Sequence, residues 1–417
     1  MSLCVAMKEL SDAFSFVCSL EFWRMSVLWT YYLILSYWKL FEDVLFSRKI
    51  KSYPRCCPST KPARPVCVIT GATSGLGAAT VRALCKEGYF VVIVGRSSQL
   101  LLETVKKMKG CNEDAQLKAF QVDLSSMKSI VTFKKSLQHW LLESDLHCSV
   151  QLLINNAGIL ATSHKVTTEG YDQMIGTNYI GAFAMTMTLL PLLERSPVTS
   201  RIVNVTSFTH RSVTGMQVDE KTVSGKRFLS SKPYPCAHIY EYSKCKLQIL
   251  DEAVDPGAVQ TNIMREVPSL LSCLAYKILG LLGLLQTPER GINSIIDAAL
   301  APPEASGAYF FGGKGRTIKS SELSRNPKLA RQLWETTSKL LKQTPFGPED
   351  TQILASGAKF RSSTSHHLDR INVVFATFDP IRFVDRLNPA PDSFNPQMPC
   401  IAFGSTPLTS SDLFLNV

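Results

Sequence analysis

Tyr240 and Lys244 stand four residues apart in the run Tyr240-Glu-Tyr-Ser-Lys244. On a helix that spacing sets a phenol and an ammonium on one face. A free phenol titrates near 10, too high for proton exchange at neutral pH, and a neighbouring cation favours the phenolate and lowers that value. Such a pair can give or take a proton at a reacting oxygen. A hydroxyl to hold that oxygen stands at Ser207, at the end of the apolar run RIVNVTS. Alone, Tyr-x-x-x-Lys is common on helix surfaces; its weight here comes from the motifs that precede it in the chain.

The second chemistry is anion binding. Residues 66–77 read VCVITGATSGLG, followed by AATVRALCKE. The β-branched run suits a buried strand, and the later residues repeat with helical period. A strand, a glycine-rich turn and a helix form the first βα unit of a dinucleotide-binding sheet. Gly71 turns the chain off the strand, Gly75 leaves room for a pyrophosphate, and Gly77 lets the helix pack closely. The helix N-terminus offers unpaired N–H groups to phosphates. Thr70, Ser74 and Leu76 flank the glycines and complete this candidate site.

The second apolar run, Tyr89 to Gly95, ends at Arg96, and no Asp or Glu occurs from Tyr89 through Leu102. An acidic residue near that point would bind ribose hydroxyls, whereas a cation suits a 2′-phosphate. NADP(H) is therefore the expected cofactor, with NAD(H) the alternative.

The elements that must position these groups alternate along the chain. Lys118 to Leu124 reads as a strand ending in Asp123, and Gln151 to Gly158 as the next, carrying Asn155, Asn156, Ala157 and Gly158. A long helical stretch from Tyr171 to Glu194 contains Asn178, and Arg201 to Ser207 is the fifth strand. Strands alternating with helices predict an α/β fold, a Rossmann-type doubly wound parallel sheet whose ligand lies beyond the strands' carboxyl ends. Asp123, Asn155 to Gly158 and Ser207 all fall at that edge. Farther on, Val267 to Gln286 is apolar with helical spacing, TPERGINSIIDAAL reads as a helix, Gly307 to Gly315 as the closing strand and turn, and a last helix ends near Leu341.

The net charge of +11 is spread along the chain without a nucleic-acid motif, so no nucleic-acid partner is expected. Twelve irregularly spaced cysteines, with no C-x-x-C pair, predict reduced thiols facing the cytosol and no metal site.

Residues 13–46 are strongly apolar and aromatic, with an uncharged core from Met25 to Trp38. That core is shorter than the ~20 residues a straight span needs. It is expected either to span with snorkelling of Arg24 and Lys39 or to lie in the interface as a monotopic helix, and a packing helix is the alternative. Trp29, Tyr31, Tyr32, Tyr37 and Trp38 suit the water–lipid boundary, and Arg48, Lys49, Lys51 and Arg55 place the downstream domain on the cytosolic side. The expected organisation is a membrane-associated segment over 1–47, a linker over 48–65, a dinucleotide-binding domain over 66–343 and a low-order tail over 344–417.

From Val66 to about Leu341 the chain resembles the short-chain dehydrogenase/reductase superfamily, and within it the retinol-dehydrogenase-like group. The matching motifs are TGATSGLG, VDL with Asp123 and Leu124, NNAG, NYIG with Asn178, VTS with Ser207, and YEYSK. The resemblance implies an oxidoreductase with catalytic Asn178, Ser207, Tyr240 and Lys244, the asparagine helping to hold a proton-relay water. It implies that Asp123 contacts adenine, that NNAG supports the cofactor site, and that Pro256, Gly257 and Thr261 in DPGAVQT close near the nicotinamide. Tyr240 and Lys244 are expected to face the cofactor as well. Lipophilic alcohols or carbonyl compounds (retinoid, steroid or polyprenol-like) are the implied substrates. The endoplasmic reticulum is the expected location, with lipid droplet or organelle envelope as alternatives, and a homodimer is a further expectation.

The sequence departs from the family pattern at one place. Only CKLQILDEAVD separates Lys244 from Pro256, where the family fits the rest of a helix, a turn and a sixth strand. A helix rising 1.5 Å per residue is not expected to cross the domain and return as a strand in that length. An internal segment near 245–255 is thus expected to be missing, with neighbouring strands underpaired and an impaired cofactor-binding scaffold as the alternative function.

Overall fold

The computed structural model describes residues 3–46, 51–58, 64–144, 146–250, 253–343 and 371–372. The first five runs of apolar residues form strands β1 (Val66–Thr70), β2 (Phe90–Gly95), β3 (Leu117–Gln121), β4 (Leu152–Asn155) and β5 (Ser200–Val205). They are followed by β6 (Ala253–Asp255), β7 (Ala258–Val259), β8 (Leu285–Gln286), β9 (Tyr309–Phe311) and β10 (Ile371–Asn372). The main sheet runs β3-β2-β1-β4-β5-β6-β9, and every pairing in it is parallel. β7 and β8 form a separate two-stranded ribbon.

Strands covered on both faces read as near-continuous apolar runs. Accordingly β1, β4 and β5 are buried along their whole length, while the edge strand β3 is only half-covered. Helices Gly75–Lys86 and Pro288–Ala299 close one face, with Val81, Leu84, Ile295 and Ile296 packed against Ile69, Ile93 and Val203. Burying a Val, Leu or Ile contributes about 1.5–3 kcal/mol each, which makes this layer the main source of stability.

β1 to β5 lie within three residues of their expected bounds. β3 stops at Gln121, so Asp123 sits in the loop beyond the strand rather than at its end. The expectation that no strand could follow Lys244 is corrected. Helix Cys236–Leu250 carries Tyr240 and Lys244, and β6 begins at Ala253. The solution is a helix cut short and a strand of three residues, paired with β5 only at Asn204 and Val205. β10 lies parallel to β5 at Ser200 and Arg201, the part of that strand which β6 leaves uncovered. Ile371 and Asn372 therefore join the sheet, although they fall in the stretch expected to be of low order; residues 344–370 and 373–417 lie outside the described residues.

The N-terminal segment departs furthest from expectation. It forms helices Leu3–Val17, Leu20–Trp23 and Thr30–Leu45, joined by a π-helical turn at Arg24–Trp29. Among the described residues no helix is long and apolar enough to cross a membrane. The spanning reading thus lacks its helix, and one face is used for packing instead. Met25, Leu33, Ser36 and Leu40 are buried, and the Tyr37 ring meets Phe311 of β9 edge-on at 5.0 Å. The other face leaves Trp23, Val27, Tyr31, Ile34, Trp38, Phe41 and Leu45 exposed, at helical spacing. Of the expected linker, residues 51–57 are tied down: Tyr53 N–H donates to Gly315 O at 3.0 Å, and Arg55 pairs with Asp297 at 2.7 Å. Arg48 and Lys49 lie outside the described residues.

Candidate active site

One cleft of about 330 Å³ opens at the carboxyl ends of the strands. Its floor is the turn after β1. Gly71 adopts φ 65° and Gly75 φ 51°, in the left-handed region where a side chain is strained by about 1–2 kcal/mol. A Cβ on Gly77 would lie 2.1 Å from Gly71 O, so the helix N-terminus can sit this close to the turn only without a side chain there. Ser74 caps helix Gly75–Lys86 through its backbone alone, with no side-chain hydrogen bond. The first N–H groups of the helix are therefore left open to an anion. Ser74, Gly75, Leu76 and Gly77 all line the cleft, as does Arg96, which is exposed at the end of β2. These features fit a dinucleotide: a cradle that a Cβ would fill, an open helix N-terminus and a cation beside them.

Several expected cofactor residues brace this floor instead of facing the cleft. The Thr70 hydroxyl accepts the N–H groups of Asn156 (3.0 Å) and Ala157 (3.1 Å), locking the end of β1 to the end of β4. Asn156 lines the cleft while its Nδ2 donates to Thr70 O (2.9 Å) and Gly71 O (3.2 Å), holding the glycine turn in shape. Asn155 points into the interior, donating to Thr186 Oγ1 (3.0 Å) and Asn204 Oδ1 (2.9 Å). Asp123 folds back on its own loop and accepts from Ser125 N–H (2.9 Å) and Oγ–H (2.7 Å), while Leu124 lines the cleft. Ala157, Gly158, Pro256, Gly257 and Thr261 also line it. The Thr261 methyl and Cβ lie within about 3 Å of where a Gly75 side chain would be, and Thr261 O accepts the Tyr276 hydroxyl at 2.8 Å. The loop after β7 is thereby tied to helix Ser269–Leu281.

Ser207, Tyr240 and Lys244 meet in the same cleft. Ser207 stands two residues beyond β5 in extended conformation, and its Oγ accepts a long bond (3.3 Å) from Thr209 N–H. The Lys244 ammonium donates to Val205 O at 2.9 Å and lies 5.7 Å from the centre of the Tyr240 ring. Gly158 makes room for it, since a Cβ there would stand 3.4 Å from Nζ. Asn178 is fully buried on a π-helical turn, Gly176–Ile180, a local geometry frequent at functional sites. Its amide donates to Ile159 O (2.9 Å) and Ser243 Oγ (3.1 Å) and accepts from Ile159 N–H (2.8 Å). Asn178 thus ties Ile159, beyond β4, to helix Cys236–Leu250 at Ser243, between Tyr240 and Lys244.

Burial dominates the electrostatics. It pushes Lys244 down to about 8, with buried Asp255 opposing, and pushes Asp255 up to about 6. The phenol of Tyr240 is raised, first by burial and then by the negative charge of Asp255. Desolvation outweighs the ammonium of Lys244, which is committed to a backbone carbonyl.

Two groups missed in the sequence act here. Asp255 accepts from Gly257 N–H (2.8 Å) and Tyr309 O–H (2.9 Å), fixing the loop that ends at Thr261. His210 bonds Ser207 O through Nδ1 (2.7 Å) and accepts Ser321 N–H at Nε2 (3.2 Å), and burial holds it down to about 3. Neither stands in a run that marks it as polar and buried. A histidine lowered on folding stabilises the fold above its unfolded value near 6.5, and that stability is lost as pH falls toward 3. Below pH 6.5 the wild type is expected to lose about 1.4 kcal/mol per pH unit relative to His210→Gln. Denaturant melts of both proteins across that window measure the difference, and parallel curves would contradict it.

The fold and the cleft are those of a dinucleotide-binding oxidoreductase. A family model for short chain dehydrogenases matches residues 65–219. Polyprenol dehydrogenase of Homo sapiens is 31% identical over 301 residues, covering 67% of this chain and 86% of the relative. Retinol dehydrogenase 12 of Homo sapiens is 30% identical over 285 residues, covering 66% of this chain and 86% of the relative. A crystal structure of an uncharacterized protein from Mycobacterium paratuberculosis aligns with TM-score 0.49 at 23% identity, over 70% of this chain and 97% of that one. The chain belongs to the short-chain dehydrogenase/reductase family, in its retinol-dehydrogenase-like group, and is an NAD(P)-dependent oxidoreductase acting on alcohols.

Proposed function

We propose that this chain transfers hydride between NADP(H) and a lipophilic alcohol or carbonyl compound, with Tyr240 exchanging the proton. The observation that carries this reading is the convergence of Ser207, Tyr240 and Lys244 with the Gly71–Gly77 turn in one cleft. When bound, the nicotinamide supplies the hydride. The glycine turn and the open N-terminus of helix Gly75–Lys86 hold the pyrophosphate, and Arg96 holds the 2′-phosphate. Ser207 Oγ hydrogen-bonds the substrate oxygen, Tyr240 O–H gives its proton to it in reduction, the Tyr240 phenolate takes a proton from it in oxidation, and Lys244 supplies the compensating positive charge. Asn178 acts by clamping the catalytic helix, and Asp123 by shaping the loop that carries Leu124.

A lipophilic substrate is supported by the names of the relatives, polyprenol and retinol dehydrogenases, and by the exposed apolar faces of the N-terminal helices and of helix Ser269–Leu281, where Leu270, Leu274, Ile278 and Leu281 point outward. We place the protein on a membrane surface, monotopically, with the 66–343 domain on the cytosolic side of the endoplasmic reticulum, where a homodimer would form. Arg96 is expected to set the cofactor: Arg96→Ala should weaken NADPH binding about tenfold or more and leave NADH nearly unchanged, since charge-assisted bonds are worth about 1.5–3 kcal/mol. Assays of both cofactors with a panel of lipophilic aldehydes and ketones test it, and equal loss for both would remove the 2′-phosphate assignment.

The shortness of β6 favours a second reading, in which cofactor binds but turnover is weak because a segment near 245–255 is missing. Restoring a longer helix and strand between Lys244 and Asp255 should then raise kcat without changing cofactor affinity; unchanged kcat argues for the first reading.

A further inference from the structure

Glu241, the neighbour of Tyr240, is fully buried on the side of the catalytic helix that meets the N-terminal segment. Arg24 grips its carboxylate from Nε (2.9 Å to each oxygen) and Nη2 (2.5 Å), and Trp29 Nε1–H donates to Oε1 at 2.8 Å. Glu21 accepts the N–H of Ala237, at the first turn of the same helix, at 2.7 Å. Helix Leu20–Trp23 and the π-helical turn Arg24–Trp29 are thereby each fastened to the helix that carries Tyr240. The turn's last residue is the consequence. The Trp29 indole lies 5.4 Å from the Tyr240 ring, tilted by 40°, and lines the cleft together with Ser207 and Tyr240. With its only N–H spent on Glu241, the indole offers the cleft an apolar face and no donor.

We propose that Trp29 is a specificity-determining residue, the apolar wall that receives the hydrocarbon part of the substrate beside Tyr240, and that the Arg24–Glu241 pair is the device that positions it. The wall then comes from a segment preceding the first strand. It selects bulky apolar or unsaturated chains, which gain contact with the ring, over short polar ones, which gain none. The inference rests on the proposed hydride transfer at Tyr240.

The test uses the full chain with NADPH and two aldehydes, a long unsaturated one and a two- or three-carbon one. The readout is the ratio of their kcat/KM values, with equilibrium binding of a long-chain alcohol measured alongside. Trp29→Ala is expected to lower the ratio and the alcohol affinity about tenfold. Trp29→Phe, which keeps a ring, should lower both less and covers the case in which the alanine variant does not fold. Arg24→Ala should mimic Trp29→Ala, with partial rescue in Arg24→Lys. An unchanged ratio and unchanged alcohol affinity in a folded Trp29 variant overturn the proposal. Absence of wild-type turnover with either aldehyde sinks the proposed function instead, and the alcohol-binding comparison still decides the role of Trp29.

Discussion

Tyr240→Phe is expected to lower turnover by about 10²–10⁴-fold while the protein melts cooperatively and still binds cofactor. The phenol sits in the cleft beside Ser207, with Lys244 Nζ 5.7 Å from the centre of its ring. Removing one oxygen leaves the ring, its packing against Trp29 and the Gly71–Gly77 cradle in place. The proton exchanged with the substrate oxygen is lost. The raised phenol also gives the reaction a direction of pH response: Tyr240 stays protonated through neutral pH, the form that donates in carbonyl reduction. Carbonyl reduction is therefore expected to persist at neutral pH better than alcohol oxidation, which needs the phenolate as acceptor. Steady-state rates in both directions from pH 6 to 9, with a cofactor titration by fluorescence, check both statements. Retained turnover in Tyr240→Phe would mean that the proton passes through another group.

Gly77→Ala should be nearly as damaging, by a different route. Its Cβ would fall 2.1 Å from Gly71 O and 2.8 Å from Asn156 Nδ2. Neither neighbour can yield cheaply. One is backbone held at φ 65°, and the other is an amide already bonded to Thr70 O and Gly71 O. The first turn of helix Gly75–Lys86 must therefore draw back from the cradle, at a cost of about 1–3 kcal/mol for overpacking. Withdrawal also moves the open N–H groups away from where phosphates would sit. Cofactor affinity is expected to fall at least tenfold and Tm by several degrees. Gly110→Ala is the matched control, because nothing lies within 4 Å of a Cβ there and the helix gains about 0.5–1 kcal/mol. Unchanged cofactor affinity in Gly77→Ala would show that the helix N-terminus is not the phosphate seat.

Much of the fold was legible because parallel strands buried on both faces advertise themselves. β1, β4 and β5 are buried at every position, and most of their residues are apolar, interrupted only by Thr70, Asn155, Ser200, Arg201 and Asn204. The cleft was legible for a related reason. In a doubly wound sheet the residues just beyond those runs share one edge, which brought Gly71–Gly77, Gly158 and Ser207 together before any distance was known. β6 was not legible. Its three residues carry no periodicity, and it exists only because Val205 on one side and Phe310 on the other supply partners.

The chain's own order of residues determined the sheet, the glycine cradle and the Tyr240–Lys244 pair, because strand, turn and helix preferences act over a few residues and need no distant partner. Tertiary structure alone decided what those groups meet. It turned Asn155 into the core, spent the amide of Asn178 on Ile159 and Ser243, and buried His210 behind Ser207. Most of all, it took an aromatic stretch that reads as a membrane anchor and laid one face of it on the catalytic helix. Apolar spacing says only that a face is to be covered. What covers it depends on Glu241 lying 217 residues beyond Arg24, a pairing fixed by shape and charge in the folded molecule.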